Sequence, residues 1–134
     1  AAAHAKKTVE INPKFPPGWA RLAACYDALN AHELAVGAWD RAIELAPRNV
    51  IHMSARGASL ARMGRLEDAL QAHEAALAID PRFSLAKFHK GMIEADLGRR
   101  GDALKSLQQF LALAPPNLAA LAQQARARLA ELKA

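Results

Sequence analysis

Apolar residues recur along the chain at the spacing that buries one face of an α-helix. The first set, spaced i, i+3, i+4 and i+7, consists of Trp19, Leu22, Ala23 and Tyr26. The second set consists of Ala35, Trp39, Ala42 and Ile43. Because a proline forces the residue before it out of the helical region, Pro47 ends the second helix. The pattern predicts two amphipathic helices joined by a short turn.

The same arrangement returns every 34 residues. The prolines that end the second helices show this period: Pro13, Pro47, Pro81 and Pro115. Gly64 and Gly98 have the same separation, and each follows a predicted helix, where glycine adopts the left-handed conformation at little cost. Helices are therefore predicted over residues 17–30, 33–46, 50–63, 67–80, 84–97, 101–114 and 117–133, and residues 1–11 are predicted to end a further helix.

These residues resemble the tetratricopeptide repeat. The first unit matches that repeat with Trp19, Leu22, Ala23, Tyr26, Ala35, Trp39, Ala42 and Pro47. The second matches it with Met53, Gly57, Leu60, Ala69, His73, Ala76 and Pro81. The third keeps Gly91, Ala103, Leu107 and Pro115 but carries Phe110 in place of a small alanine.

The resemblance implies an all-α fold. It is a solenoid of antiparallel helix pairs, wound as a right-handed superhelix with a C-terminal capping helix. The predicted units are the end of a preceding partial repeat (1–15), three full repeats (16–49, 50–83 and 84–116) and the capping helix (117–134).

The family also implies a binding surface, because the first helix of each repeat lines a concave groove in its members. By that analogy the predicted partner-binding residues are Ala20, Arg21, Ala24, Asp27, Ser54, Ala58, Arg62, Leu85, Phe88, His89, Met92 and Asp96. Small side chains dominate the first two repeats, which suits an extended peptide or an amphipathic helix with larger side chains. The resemblance implies a non-catalytic protein-interaction scaffold. The alternative is a regulatory or targeting domain cut from a larger enzyme.

The third repeat departs from the family pattern. Charged residues occupy slots that are usually apolar, namely Lys87, Lys90 and Glu94. An apolar stripe lies on the side expected to face the groove: Leu85, Phe88, Met92 and Ala95. One interpretation is an exposed contact patch, and the other is a rotated helix whose stripe is ordinary core. As an i, i+4 pair, Lys90 and Glu94 are expected to contribute only about 0.2–0.5 kcal/mol.

Some family members hold the C-terminal carboxylate of a chaperone in a clamp of Lys, Asn and Arg side chains. The matching positions in this sequence are Ala20, Ala24, Ala55, Leu85 and His89. None of these side chains can hold a carboxylate as that clamp does. The sequence therefore argues against a receptor for chaperone tails.

Charge and chemistry add little to this picture. The net charge is +5, and basic residues repeat along the predicted turns without stacking aromatics, so nucleic acid is not an expected partner. The five histidines lack the spacing of metal ligands, and no cofactor or catalytic residue is predicted. His73 fills the slot of Trp39 and is predicted to be a core histidine with a hydrogen-bond partner.

The chain has no apolar run long enough to cross a membrane and no signal-peptide pattern at its start, so a cytoplasmic location is expected. Near the N-terminus, Val9 and Ile11 match the buried slots of Ile43 and Leu45. The partner helix of that partial repeat is absent, so self-association through residues 1–19 is predicted.

Overall fold

The computed structural model describes residues 2–134 and contains eight α-helices joined by short turns. Their bounds are α1 Ala2–Ile11, α2 Pro16–Ala28, α3 His32–Leu45, α4 Val50–Arg62, α5 Leu66–Ile79, α6 Ser84–Asp96, α7 Arg100–Leu113 and α8 Ala119–Lys133. A turn of 3₁₀-helix, Pro116–Leu118, precedes α8. The predicted helices agree with these bounds to within two residues, except that the predicted segment 1–11 includes Ala1, which lies outside the described residues.

Left-handed residues end the first helix of each pair. Gly64 and Gly98 have φ values of +79° and +78°, and Asn30 takes the same place in the first pair with φ 61°. The N–H of Arg65 then donates to the carbonyl of Leu60 at 3.0 Å, which satisfies a carbonyl left free at the helix end. This reversal lets the second helix run back along the first.

The helices pack as antiparallel pairs, α2 with α3, α4 with α5, and α6 with α7. Within the second and third pairs, the two helices meet at a glycine. A Cβ atom on Gly57 would lie 2.8 Å from Nε2 of His73, and one on Gly91 would lie 2.7 Å from the side chain of Leu107. Glycine at these two positions therefore sets how closely the helices of the second and third pairs approach.

Successive pairs stack through α3 with α4 and α5 with α6, and α1 packs on α2 at one end. At the other end α8 covers α6 and α7. Ala122, Ala125 and Leu129 of α8 are buried against Phe88 and Phe110. These packed units form an all-helical repeat solenoid with a C-terminal cap, as the sequence predicted.

The charged side chains of α6 pack against α7. Lys90 Nζ lies 2.8 Å from Glu94 Oε2 and donates to Ser106 Oγ at 3.2 Å, while Ser106 Oγ donates to Glu94 Oε1 at 2.6 Å. Glu94 is only 3% exposed. Gly91 of α6 contacts Leu107 of α7 in the same way as Gly57 of α4 contacts His73 of α5. The helix α6 therefore has the same rotation about its axis as α4. The small energy expected of an exposed pair does not apply to this buried network.

Candidate functional site

All twelve predicted binding residues lie on the first helices α2, α4 and α6. We call the surface that these helices share, on the side away from α3, α5 and α7, the first-helix face. The exposed members of the set are Arg21, Ala24, Arg62 and Asp96, and the half-buried members are Ala20, Asp27, Ala58, Leu85, His89 and Met92. The adjacent packing of α4 and α6 brings residues from different repeats onto this one surface.

Two of the twelve residues are not available on this face. Ser54 is 2% exposed, and Phe88 is 4% exposed. The Phe88 ring lies 5.2 Å from the Phe110 ring, measured between centroids, beneath the capping helix. The interpretation of the third-repeat stripe as an exposed contact patch is therefore wrong for Phe88, because α8 covers it. Leu85 and Met92 remain half-buried beside it.

A cleft of about 420 Å³ opens at the edge of the first-helix face, between the ends of α2 and α4 and two side chains of α3. Its lining comprises Ala24, Asp27, Ala28, Asn30, His32, Trp39 and Arg62. Ala24 and Ala28 are separated by one helical turn and leave space above α2, because neither side chain extends beyond Cβ. Arg62 reaches the same cleft from α4. The site therefore combines a floor of small apolar groups with polar walls.

Asp27 is fixed by side chains from two neighbouring helices, α3 and α4. Ser59 Oγ donates to both carboxylate oxygens at 2.9 and 2.7 Å, and Trp39 Nε1 donates to Oδ2 at 3.3 Å. His32 Nδ1 lies 2.8 Å from Oδ1. With these partners the carboxylate is well satisfied, and its side chain is only 13% exposed. Asp27 therefore serves as a structural hub behind the cleft, joining the first repeat to the second.

The charges exposed on this face are mainly positive. Asp96 pairs with Arg128 of the capping helix at 3.1 Å, so both acidic residues of the predicted set have partners. Within residues 2–134, neither Arg21 nor Arg62 forms an ion pair. Both side chains are exposed. The two guanidinium groups are therefore free to meet an anionic group.

A histidine pair lies behind the face at the junction of the second and third repeats. The rings of His73 and His89 stack with centroids 5.1 Å apart, and His73 Nδ1 lies 2.9 Å from Ser54 Oγ. The predicted core role of His73, with a hydrogen-bond partner, is confirmed. Burial, together with the neighbouring His89, lowers the pKa of His73 to about 3. Burial and the positive charge of Arg62 lower the pKa of His89.

Neither a metal centre nor a membrane span is found in the described chain. Among residues 2–134, no three His, Cys, Asp or Glu side chains come together as metal ligands would. No helix in this range is long and apolar enough to cross a membrane.

Sequence reasoning missed the partners of Asp27. Ser59 and His32 come from different helices, and neither belongs to the columns that define the repeat. Ser59 occupies the column that holds Cys25 in the first repeat and Ile93 in the third. A serine in an otherwise apolar column is a signal that could have indicated a buried polar partner.

The chain has the tetratricopeptide-repeat fold, as both the repeated helix pairs and the structural comparisons show. No protein-family model matches the sequence, and no curated protein matches it. One similar solved structure is the first TPR of Spaghetti (RPAP3), bound to the HSP90 peptide SRMEEVD. Its TM-score is 0.80 at 17% identity, over 88% of this chain and 90% of that one.

Two further structures share the fold. The Yersinia enterocolitica type III secretion chaperone SycD, in complex with a peptide of the translocator YopD, has a TM-score of 0.82 at 18% identity. The alignment covers 86% of this chain and 89% of that one. The Sgt2 TPR domain from Aspergillus fumigatus has a TM-score of 0.75 at 19% identity, over 88% of this chain and 81% of that one. These likenesses establish the fold.

Proposed function

We propose that this chain is a non-catalytic interaction domain that binds an extended peptide or helix of a partner protein on its first-helix face. The observation that carries the proposal is the open cleft floored by Ala24 and Ala28 and walled by polar groups. A peptide backbone can approach such a floor closely, while its larger side chains enter the spaces beside the alanines.

The rigidity of the cleft supports the same function. Asp27 is held by Ser59, Trp39 and His32, so the wall behind the cleft is already ordered before any ligand arrives. A preorganised surface loses less conformational freedom on binding, which favours affinity. The fold adds further support, because two proteins of similar structure are described with bound peptides, from HSP90 in one case and from YopD in the other.

The test places a long charged side chain on the first-helix face, either in the cleft or beside it. Peptides selected from a random display library on the parent protein are measured by fluorescence anisotropy against Ala24→Glu and Ala58→Glu. Each substitution is expected to weaken binding by at least about tenfold, because Ala24→Glu fills the cleft, Ala58→Glu obstructs α4 one turn before Arg62, and both bury a charge against apolar ligand groups. Circular dichroism should show unchanged helix content, since Ala24 is exposed and Ala58 half-buried.

A matched control carries the same substitution on the opposite side of the molecule. Ala112 is exposed on α7, a second helix, so Ala112→Glu should leave the affinity unchanged. The proposal is refuted if the selected peptides bind Ala24→Glu and Ala58→Glu as tightly as the parent protein. Equal losses in all three variants would also contradict it, because the effect would then not depend on the face.

A further inference from the structure

The first-helix face has an imbalance of available charge. Asp27 and Asp96 lie on it, but Asp27 is bonded to Ser59, Trp39 and His32, and Asp96 is paired with Arg128. Arg21 and Arg62 remain exposed and form no ion pair within residues 2–134. A ligand on this face therefore meets two free cations and two carboxylates that already have partners.

We propose that the peptide bound on the first-helix face is acidic, with one carboxylate on the guanidinium of Arg62 and a second on that of Arg21. The inference rests on the proposed function and adds the chemistry of the partner. Arg62 lies on the wall of the cleft, one helical turn beyond Ala58, so a chain lying across Ala58 passes beside it. A guanidinium binds a carboxylate through two parallel hydrogen bonds, which fixes orientation as well as charge.

The repeat geometry sets the spacing of the two acidic groups. Arg62 occupies the same column of its repeat as Ala28 in the first repeat, which is seven positions further along the helix than Arg21. Seven positions of an α-helix correspond to a rise of roughly 10 Å. An extended chain covers this rise in about three residues. The geometry therefore favours a ligand with two acidic side chains separated by at least about three positions.

His89 provides an internal reporter of this contact. It is half-buried on α6, stacks on His73, packs edge-on against Phe88 and lies near Arg62. The charge of Arg62 contributes to lowering the pKa of His89. A carboxylate bound to Arg62 would offset that charge. The pKa of His89, followed by NMR, should therefore rise when an acidic peptide binds and stay unchanged with a neutral analogue.

The experiment compares three synthetic dodecapeptide pools in which Ala, Val, Leu or Phe alternates with one fixed polar residue. The fixed residue is Glu, Gln or Lys, and each pool carries fluorescein for anisotropy at low salt. The Glu pool should bind about tenfold more tightly than the Gln pool, and added NaCl should weaken it. Arg62→Gln should remove most of this preference, and Arg62→Lys should keep part of it. The control is Arg48→Gln, an exposed arginine in the turn between α3 and α4.

Each of the remaining outcomes of this experiment contradicts one step of the proposal. Equal binding of the Glu and Gln pools, with both weakened by Ala24→Gln, would refute the acidic ligand and leave the proposed function standing. Preference for the Lys pool, or stronger binding of a single-stranded oligothymidylate, would also refute it. If the Glu pool is preferred but Arg62→Gln and Arg48→Gln have equal effects, the assignment to Arg62 is wrong. If no pool binds, or if Ala24→Gln changes nothing, the proposed function fails as well.

Discussion

Acidification should destabilise this protein through its buried histidine. His73 is fully buried with Nδ1 against Ser54 Oγ, while Nε2 faces Gly57 and has no hydrogen-bond partner within residues 2–134. Protonation would place a charged ring in this site with an unpaired N–H, so the folded state keeps the ring neutral. The unfolded chain has no such restriction and takes up a proton as the pH falls below about 6.5.

The size of the effect follows from the two pKa values. Burial and His89 lower the pKa of His73 in the folded protein to about 3. The folded value is depressed, so the unfolded state binds more protons between these pKa values, and stability falls as the pH decreases from about 6.5 towards about 3. At about pH 5 the loss from this one group is about 2 kcal/mol relative to neutral pH. The lowered pKa values of His89 and His52 act in the same direction.

Urea unfolding between pH 7.5 and pH 5, followed by circular dichroism, measures this dependence. His73→Leu is the informative variant, because Leu107 fills the same slot in the third repeat. It should reduce the loss of stability over this range by about 2 kcal/mol, whereas His4→Gln, on the exposed side of α1, should not change it. An identical pH dependence in His73→Leu and the parent protein would show that protonation of His73 does not cause the loss of stability.

Three further predictions concern packing and association. Trp39→Ala should cost about 3–5 kcal/mol and more than His73→Ala, because a large aromatic leaves the larger cavity; thermal melts in the reverse order would contradict this. Glu94→Gln should cost about 2–3 kcal/mol in denaturant titrations, because the half-buried Lys90 loses its counter-charge, and a loss below about 0.5 kcal/mol would show that the network is unimportant. Self-association is expected around α1, where Ile11 is 75% and Leu34 57% exposed. Sedimentation velocity should show it for the parent but not for the double variant Ile11→Gln/Leu34→Gln, and a monomeric parent at high micromolar concentration would contradict it.

The fold could be predicted from the sequence because the repeat imposes the same local rules several times. Gly64 and Gly98 end helices as expected, and Gly57 and Gly91 mark the closest approach of paired helices. These features depend on residues near one another in the sequence or on a column that recurs. The capping role of α8 could also be predicted, since its apolar residues follow the helical period.

The proposed binding face could be predicted only in part. Placing the residues on the first helices required nothing beyond the period, but their exposure depended on packing between distant elements. Phe88 is buried because α8 packs over it. The Asp27 carboxylate already accepts a hydrogen bond from Ser59 of the next repeat. Hydrogen bonds between side chains 32 positions apart leave no periodic signal in a single sequence. This is why the free arginines became apparent only in three dimensions.

Mapping the bound peptide on the protein tests the proposed binding face most directly. Backbone chemical shifts of the labelled protein should be recorded by NMR during titration with a display-selected peptide. We expect the largest changes on Ala24, Ala58, Arg62 and Met92, with little change along the exposed sides of α3, α5 and α7. Changes concentrated on those second helices, or on the outer side of α8, would contradict binding on the first-helix face.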